Sequence, residues 1–338
     1  MKILLTGGAG YIGSHTAVEL IQAGHEIVVI DNLSNSSEMA IKRVERLTNG
    51  VIKFYEQDLL NIIEIDKIFE SEKIDAVIHF AGLKAVGESV NNPLDYYHIN
   101  ISCTLNLCRI MLKHDVRHLV FSSSATVYGE PERVPIDEQC AVVDASNPYG
   151  RTKLMIEKIL EDICRADNNF HVATLRYFNP GGAHISGEIG EDPNGIPNNL
   201  LPFISQVAIG KLAQLSVFGN DYPTADGSCI RDYIHVVDLA KGHLAAIEKL
   251  KSNPGLVTYN LGTGIGYSVF DIISAFETAN GLKVPFAIGP RRAGDIPTSY
   301  TDPSLAAKEL NWQAEKTIED ICRDAWRWQQ KNPDGYQT

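Results

Sequence analysis

What most constrains this chain is the way its first 180 residues alternate short, almost continuously apolar runs with stretches of helical periodicity. Residues 2–6, 26–31, 52–56, 76–80, 119–123 and 172–176 read as strands, and residues 12–23, 61–72, 95–115 and 149–166 as helices. A strand that is apolar along both faces must be covered on both, and helices placed between successive strands supply that cover. The pattern predicts an α/β fold built on a doubly wound parallel sheet of Rossmann type.

Beyond residue 176 the pattern changes. Residues 179–202 are rich in Gly, Pro and Asn, have no clear period, and read as a loop-rich segment covering a site. Helices are expected at 203–210, 236–250, 268–280, 303–310 and 317–331, with short strands near 215–218, 258–261 and 284–288. A chain of 338 residues is long for one core. The expected division is a nucleotide-binding domain over 1–178, rejoined by the chain around 233–261, and a smaller α/β substrate domain over 179–338.

Thr6-Gly7-Gly8-Ala9-Gly10-Tyr11-Ile12-Gly13 follows the first strand and opens the first helix. The Gly7-x-x-Gly10-x-x-Gly13 spacing permits a tight turn and close backbone approach, so that a pyrophosphate can sit on the helix N-terminus. Asp31 ends the second strand, where a carboxylate accepts hydrogen bonds from ribose hydroxyls and repels a 2′-phosphate, favouring NAD over NADP. Asp58, after the third strand, can approach the adenine or cap a helix. Phe80-Ala81-Gly82-Leu83-Lys84 follows the fourth strand, where small residues let the chain pass close to a cofactor.

Two further segments carry chemistry. Ser122-Ser123-Ser124 ends the fifth strand, at the sheet edge where such folds bind ligands. Tyr149 and Lys153 are four apart at the start of a helix, and therefore on one face. An ammonium about 4 Å from a phenol at an effective dielectric of about 20 contributes roughly 4 kcal/mol, enough to bring the phenol from about 10 to near 7. Such a phenol can serve as a general base.

Composition excludes several alternatives. The formal net charge of −12 opposes nucleic acids and anionic membrane surfaces, so an anionic small molecule must be captured by locally placed arginines. The six cysteines include no C-x-x-C pair and read as reduced thiols, and no metal site is expected. No apolar run approaches the roughly 20 residues of a membrane span, and the N-terminus is too short in apolar residues for a signal peptide. A cytoplasmic location is the expectation.

Several motifs together resemble the extended short-chain dehydrogenase/reductase family, and within it the nucleotide-sugar 4-epimerases. They are Gly7 to His15, Asp31-Asn32-Leu33, His79 to Ser89, Phe121 to Tyr128, Asn147-Pro148-Tyr149-Gly150, Leu175 to Asn179, Gly219 to Tyr222, Arg231 to His235 and Tyr259 to Gly262. The resemblance runs nearly end to end. It implies an NAD-dependent isomerase that interconverts UDP-glucose and UDP-galactose, with Tyr149 as base, Lys153 holding the nicotinamide ribose and lowering the tyrosine pKa, and Ser124 bonding the 4′-oxygen. For the cofactor it implies contacts from Gly7, Gly10, Tyr11, Ile12, Gly13, Asp31, Asn32, Asn35 and Ser36. Asp58, Leu59, Phe80, Ala81, Gly82, Lys84, Asn100, Ser122, Tyr149, Lys153 and Phe178 complete that set. For the UDP-sugar it implies Ser124, Tyr149, Asn179, Asn198, Asn199, Leu200, Val217, Phe218, Arg231, Arg292, Asp295 and Ser299. A homodimer packed through helices 95–115 and 149–166 is also implied.

Two positions depart from the family pattern. Ile99-Asn100 stands where many relatives carry two asparagines. Ser299 stands where hexose-restricted relatives carry a tyrosine, which opens space near the sugar 2′-substituent and predicts action on UDP-N-acetylglucosamine and UDP-N-acetylgalactosamine. Tyr300 would have to stay out of that space. Ala125 and Thr126 replace the Asp-Glu pair that nucleotide-sugar 4,6-dehydratases use, and no cysteine fits a four-electron sugar dehydrogenase. A non-catalytic NAD-sensing binder would have no use for Ser124, Tyr149 and Lys153 together.

Overall fold

A computed structural model describes residues 1–142, 145–292 and 294–336. Its first half runs β1 (Lys2–Thr6), α1 (Tyr11–Gln22), β2 (Glu26–Asp31), α2 (Glu38–Thr48), β3 (Ile52–Glu56), α3 (Ile62–Ser71), β4 (Ala76–His79), α4 (Val86–Asn91), α5 (Pro93–Lys113), β5 (His118–Ser124), α6 (Pro148–Ala166) and β6 (His171–Tyr177). The remainder is β7 (Asn179–Gly181), α7 (Leu200–Ala208), β8 (Leu215–Phe218), β9 (Ile230–His235), α8 (Val236–Leu250), β10 (Leu256–Leu261), β11 (Gly266–Ser268), α9 (Val269–Asn280), β12 (Phe286–Gly289), β13 (Thr298–Ser299), α10 (Ser304–Leu310) and α11 (Ile318–Lys331).

Seven strands form one parallel sheet in the order β10-β6-β5-β4-β1-β2-β3. The apolar runs explain it. Ile3 and Leu5 of β1 enter one core layer, with Ala17 and Val18 of α1 and Leu239 and Ile247 of α8. Leu4 enters the opposite layer, with Leu107 and Met111 of α5 and Ile156 and Leu160 of α6. All of these side chains are essentially fully buried, each contributing about 1.5–3 kcal/mol for a residue of Leu or Ile size. β10 pairs with β6 and α8 packs on α1, so the chain returns over residues 236–261 to the seven-stranded sheet and its helical cover.

The second lobe has a separate core of Leu201, Ile204, Ile272, Phe276 and Ile321, drawn from α7, α9 and α11. Its strands are short: β11, β9 and β13 lie side by side, β7 adds to β9, and β8 pairs with β12. Two sequence expectations shift here. Residues 179–181 form a strand inside the expected loop, and the helix expected at 203 starts at Leu200.

Candidate active site

The strand order reverses between β1 and β4, which opens a crevice at the carboxyl ends of the strands. Gly7 stands there with φ +71°, and a Cβ on it would lie 2.7 Å from the Ala81 amide nitrogen. A Cβ on Gly13 would lie 2.6 Å from the Gly7 carbonyl oxygen. The turn can close against the 80–84 loop and against α1 only without side chains at these two positions. No side chain caps α1 at Gly10 and no acidic residue occupies its first turn, so its opening amides suit a phosphate.

Asp31 is nearly buried, and its carboxylate accepts the Ala9 amide (3.0 Å), the Leu33 amide (3.0 Å) and the Ser36 hydroxyl (2.8 Å). It therefore braces the glycine turn. Asp58 accepts Asn32 Nδ2 (2.8 Å) and the Leu60 amide (2.8 Å), tying the β2 and β3 ends together. The capping role open to it falls to Asn61, whose side chain caps α3. Asn35 is exposed beside this loop. The Leu59 side chain is buried in the core with residues of α5, and its carbonyl accepts Asn106 Nδ2 (3.1 Å).

Asn100 also behaves differently from a plain cofactor contact. Its side chain accepts the Leu83 amide (2.7 Å) and donates to the Leu83 carbonyl (3.1 Å) and Thr152 (3.0 Å). One donor holds the 80–84 loop and the other ties it to α6 at Thr152. Phe80 packs on His243, and Phe178 is buried with Val127 and Tyr128. The loop-rich 182–199 segment straps this region from the other lobe. Tyr11 donates to the Gly182 carbonyl (2.6 Å), Ile12 lies half-buried behind it, Asn194 donates to the Ser34 carbonyl (3.4 Å), and Lys84 pairs with Glu191 (3.3 Å).

At the end of β5, Asn147 caps α6 by accepting the Gly150 amide, and Pro148 holds its first position. This fixes Tyr149 in the first turn and Lys153 one turn on. Both are buried. The Tyr149 phenol faces the Ser124 side chain, whose hydroxyl is placed to favour the phenolate. Ser124 also accepts the Thr126 hydroxyl (3.0 Å) and amide (3.2 Å). Lys153 Nζ donates to the Ser122 carbonyl (2.7 Å) and lies 5.9 Å from the Tyr149 ring centre. Burial pushes the Tyr149 phenol up, opposed by the Ser124 hydrogen bond, and burial lowers the Lys153 ammonium to about 8. Desolvation sets the direction at both groups.

In the second lobe, Arg292 grips Asp295 with two hydrogen bonds (2.9 and 3.2 Å) and lies 5.7 Å over the Phe218 ring. Arg231 stands 3.8 Å from the same carboxylate. Ser299 is buried on β13 and paired in register with Arg231. The Tyr300 ring packs toward Gly266, where an added Cβ would lie 3.1 Å from it, so it does not fill the space beside Ser299. Asn199 donates to Glu191 (2.7 Å), bringing it near Lys84; Asn198 is exposed, Leu200 half-buried, and Asn179 exposed on β7. Val217 departs from expectation: β8 alternates, so its side chain enters the lobe core while Phe218 faces out. Sequence reasoning passed over Thr126, Thr152 and Glu191. Among the described residues no cluster of three His, Cys, Asp or Glu groups could hold a metal ion.

A dinucleotide laid over the switch point and a phenol set against a serine can together remove hydride and proton from a secondary alcohol. That defines a nicotinamide-dependent enzyme of short-chain dehydrogenase architecture. The chain belongs to the NAD dependent epimerase/dehydratase family, whose model matches residues 3–262, and its cofactor is NAD. Within the family it groups with the UDP-glucose 4-epimerases. It is 59% identical over 338 residues to the UDP-glucose 4-epimerase of Bacillus subtilis, covering 100% of this chain and 99% of that one. Among solved structures it resembles UDP-glucose 4-epimerase from Bifidobacterium longum in complex with NAD+ and UDP, with TM-score 0.97, 50% identity, and coverage of 99% and 100%. It also resembles the UDP-Glc/GlcNAc 4-epimerase of Campylobacter jejuni, with TM-score 0.84, 40% identity, and coverage of 98% and 99%.

Proposed function

We propose that this enzyme interconverts UDP-glucose and UDP-galactose, with Tyr149 as the reversible acid/base. The observation that carries this reading is the placing of the Tyr149 phenol against the Ser124 side chain, with the buried Lys153 seated on the neighbouring Ser122 carbonyl. When bound, NAD supplies the hydride acceptor and a positive charge that favours the phenolate. Tyr149, as phenolate, takes the proton of the sugar 4′-hydroxyl as the C4′ hydride leaves. Ser124 donates to the 4′-oxygen, and Thr126 orients Ser124. The 4-keto sugar turns, the hydride returns to its opposite face, and Tyr149 gives the proton back. Arg231 and Arg292 hold the diphosphate as planar donors, and Asp295 gives up part of its hold on Arg292 to meet the uridine ribose. Ala125 and Thr126 supply no carboxyl pair for water loss, which disfavours a dehydratase.

Incubating the purified enzyme with UDP-galactose tests this. UDP-glucose should form without net accumulation of reduced nicotinamide, and Tyr149→Phe should fold, keep NAD and lose almost all turnover. Unchanged turnover in that variant would overturn the mechanism.

The same reading extends to N-acetylated substrates, supported by the small, buried Ser299 beside Arg231 and the turned-away Tyr300. Ser299→Tyr should abolish UDP-N-acetylgalactosamine conversion while sparing UDP-galactose. Absence of N-acetyl activity in the unaltered enzyme would refute the extension. Exposed Leu94 and Met155 on α5 and α6 support a homodimer through these helices, checked by sedimentation. The six free thiols, five of them buried, fit a reducing cytoplasmic setting.

A further inference from the structure

Behind the reacting groups lies a buried ionic network that the mechanism above does not use. Glu157 is on α6, one turn past Lys153, and its side chain is only 10% exposed. Its carboxylate accepts Arg176 Nε (3.0 Å) and Nη2 (2.7 Å) and also the Ser123 hydroxyl (2.5 Å). Arg176 faces Ser123 across the β5–β6 ladder and donates onward to the Tyr128 hydroxyl (2.9 Å), which donates to Asn260 (2.7 Å). Ser123 stands between two residues of the site: Ser122, whose carbonyl takes the Lys153 ammonium, and Ser124, which faces the Tyr149 phenol. One carboxylate thus clamps the end of β5 to the helix that carries Tyr149 and Lys153, and places a negative charge one turn from the ammonium.

We propose that Glu157, with Arg176 behind it, is a positioning residue that keeps Lys153 charged and seated on the Ser122 carbonyl during turnover. The proposal rests on the acid/base reading of Tyr149 and Lys153 given above. The other groups around Lys153 do not supply a compensating charge. Phe121 of β5 presents its ring 5.0 Å away, and His79 of β4 is held neutral by burial, with its pKa at about 3. Tyr177 of β6 and Tyr96 of α5 are phenols that burial pushes well up. Among the described residues Glu157 is the one carboxylate that opposes desolvation of Lys153, and Arg176 is ion-paired to Glu157, so by Coulomb's law it offsets part of that charge. Removing the two partners must therefore act in opposite directions.

The test is the pH profile of kcat for UDP-galactose conversion by the NAD-loaded enzyme. Glu157→Gln should move the alkaline limb down by about one pH unit or more, as expected for loss of a charge one helical turn away at an effective dielectric of about 20. Arg176→Met should move the limb up by about one unit, since it leaves Glu157 unopposed. The double variant should return the limb close to its original position. A network that served only packing would lower kcat in both single variants without opposite shifts, and that result would overturn the proposal. If Glu157→Gln cannot be purified, Arg176→Met decides alone, because its limb must rise. Failure of the underlying reading is recognised separately, by full turnover in Tyr149→Phe.

Discussion

Asn100→Leu isolates what the 80–84 loop contributes. The replacement nearly keeps volume but deletes a buried amide that satisfies both main-chain groups of Leu83 and one bond to Thr152. Thr152 keeps a partner, because its hydroxyl donates to the Tyr149 carbonyl (2.7 Å). The loss therefore falls on the Leu83 N–H and C=O. Stranding a buried main-chain group costs about 1–3 kcal/mol, and Leu83 is half-buried, so water recovers part of it; about 2 kcal/mol is the expected total. With an unfolding entropy near 2.1 cal/mol/K per residue, 338 residues give about 0.7 kcal/mol/K, and the melting midpoint should fall by about 3 °C. Function should suffer more than stability, because the freed loop abuts Gly7 at the switch point. Differential scanning of the NAD-free protein gives the stability term, and equilibrium dialysis against NAD gives the affinity. A midpoint within 1 °C of the parent together with unchanged NAD affinity would refute the claim that Asn100 acts by holding this loop.

Gly13→Ala places a methyl 2.6 Å from the Gly7 carbonyl and 2.7 Å from Gly8 Cα, both main-chain atoms that can yield only by moving the turn. It should abolish stable NAD binding while the second lobe keeps its fold, as read by retained nicotinamide absorbance and circular dichroism. For pH, turnover should fall as the solution passes upward through about 8, where the desolvated Lys153 loses its proton. The same group contributes the opposite trend to stability. Its folded-state pKa lies below the unfolded value near 10.4, so from about 8 to 10.4 the unfolded chain holds the extra proton and stability rises with pH. Activity lost over that window without a falling melting midpoint separates titration from unfolding. Asp295→Asn should weaken UDP binding in isothermal titration by roughly tenfold, since it loosens both Arg231 and the two-point grip on Arg292; unchanged affinity would remove Asp295 from the nucleotide site.

The parallel sheet was legible because burial on both faces leaves a direct mark in the sequence. Residues 2–6, 26–31 and 52–56 read as strands and are strands at those same limits. What escaped was structure held together by partners instead of period. α2 is built largely of charged residues around Ala40, Ile41 and Val44, and it is held by a Ser37 cap and by Arg43 stacking between Trp328 and Tyr336. β7, β9, β11 and β13 are short strands whose pairing depends on one another across long sequence gaps. No local pattern encodes that dependence.

The site was legible in its residue types and less so in their duties. Tyr149, Lys153 and Ser124 do meet, since a capped helix start and a strand end impose that meeting locally. Direction was harder to read. Helical spacing says that Lys153 and Tyr149 share a face, but it cannot say that a carbonyl at Ser122 will claim the ammonium. Likewise Asp31 and Asn100 look like ligand contacts in the sequence, yet each spends hydrogen-bonding capacity on bracing the loops that meet the ligand. A carboxylate or amide next to a cofactor loop has to satisfy the main chain it adjoins before it can serve anything bound. Charge tuning in this enzyme therefore comes from the layer behind the reacting groups, where Glu157 stands at the same four-residue spacing from Lys153 that joins Lys153 to Tyr149.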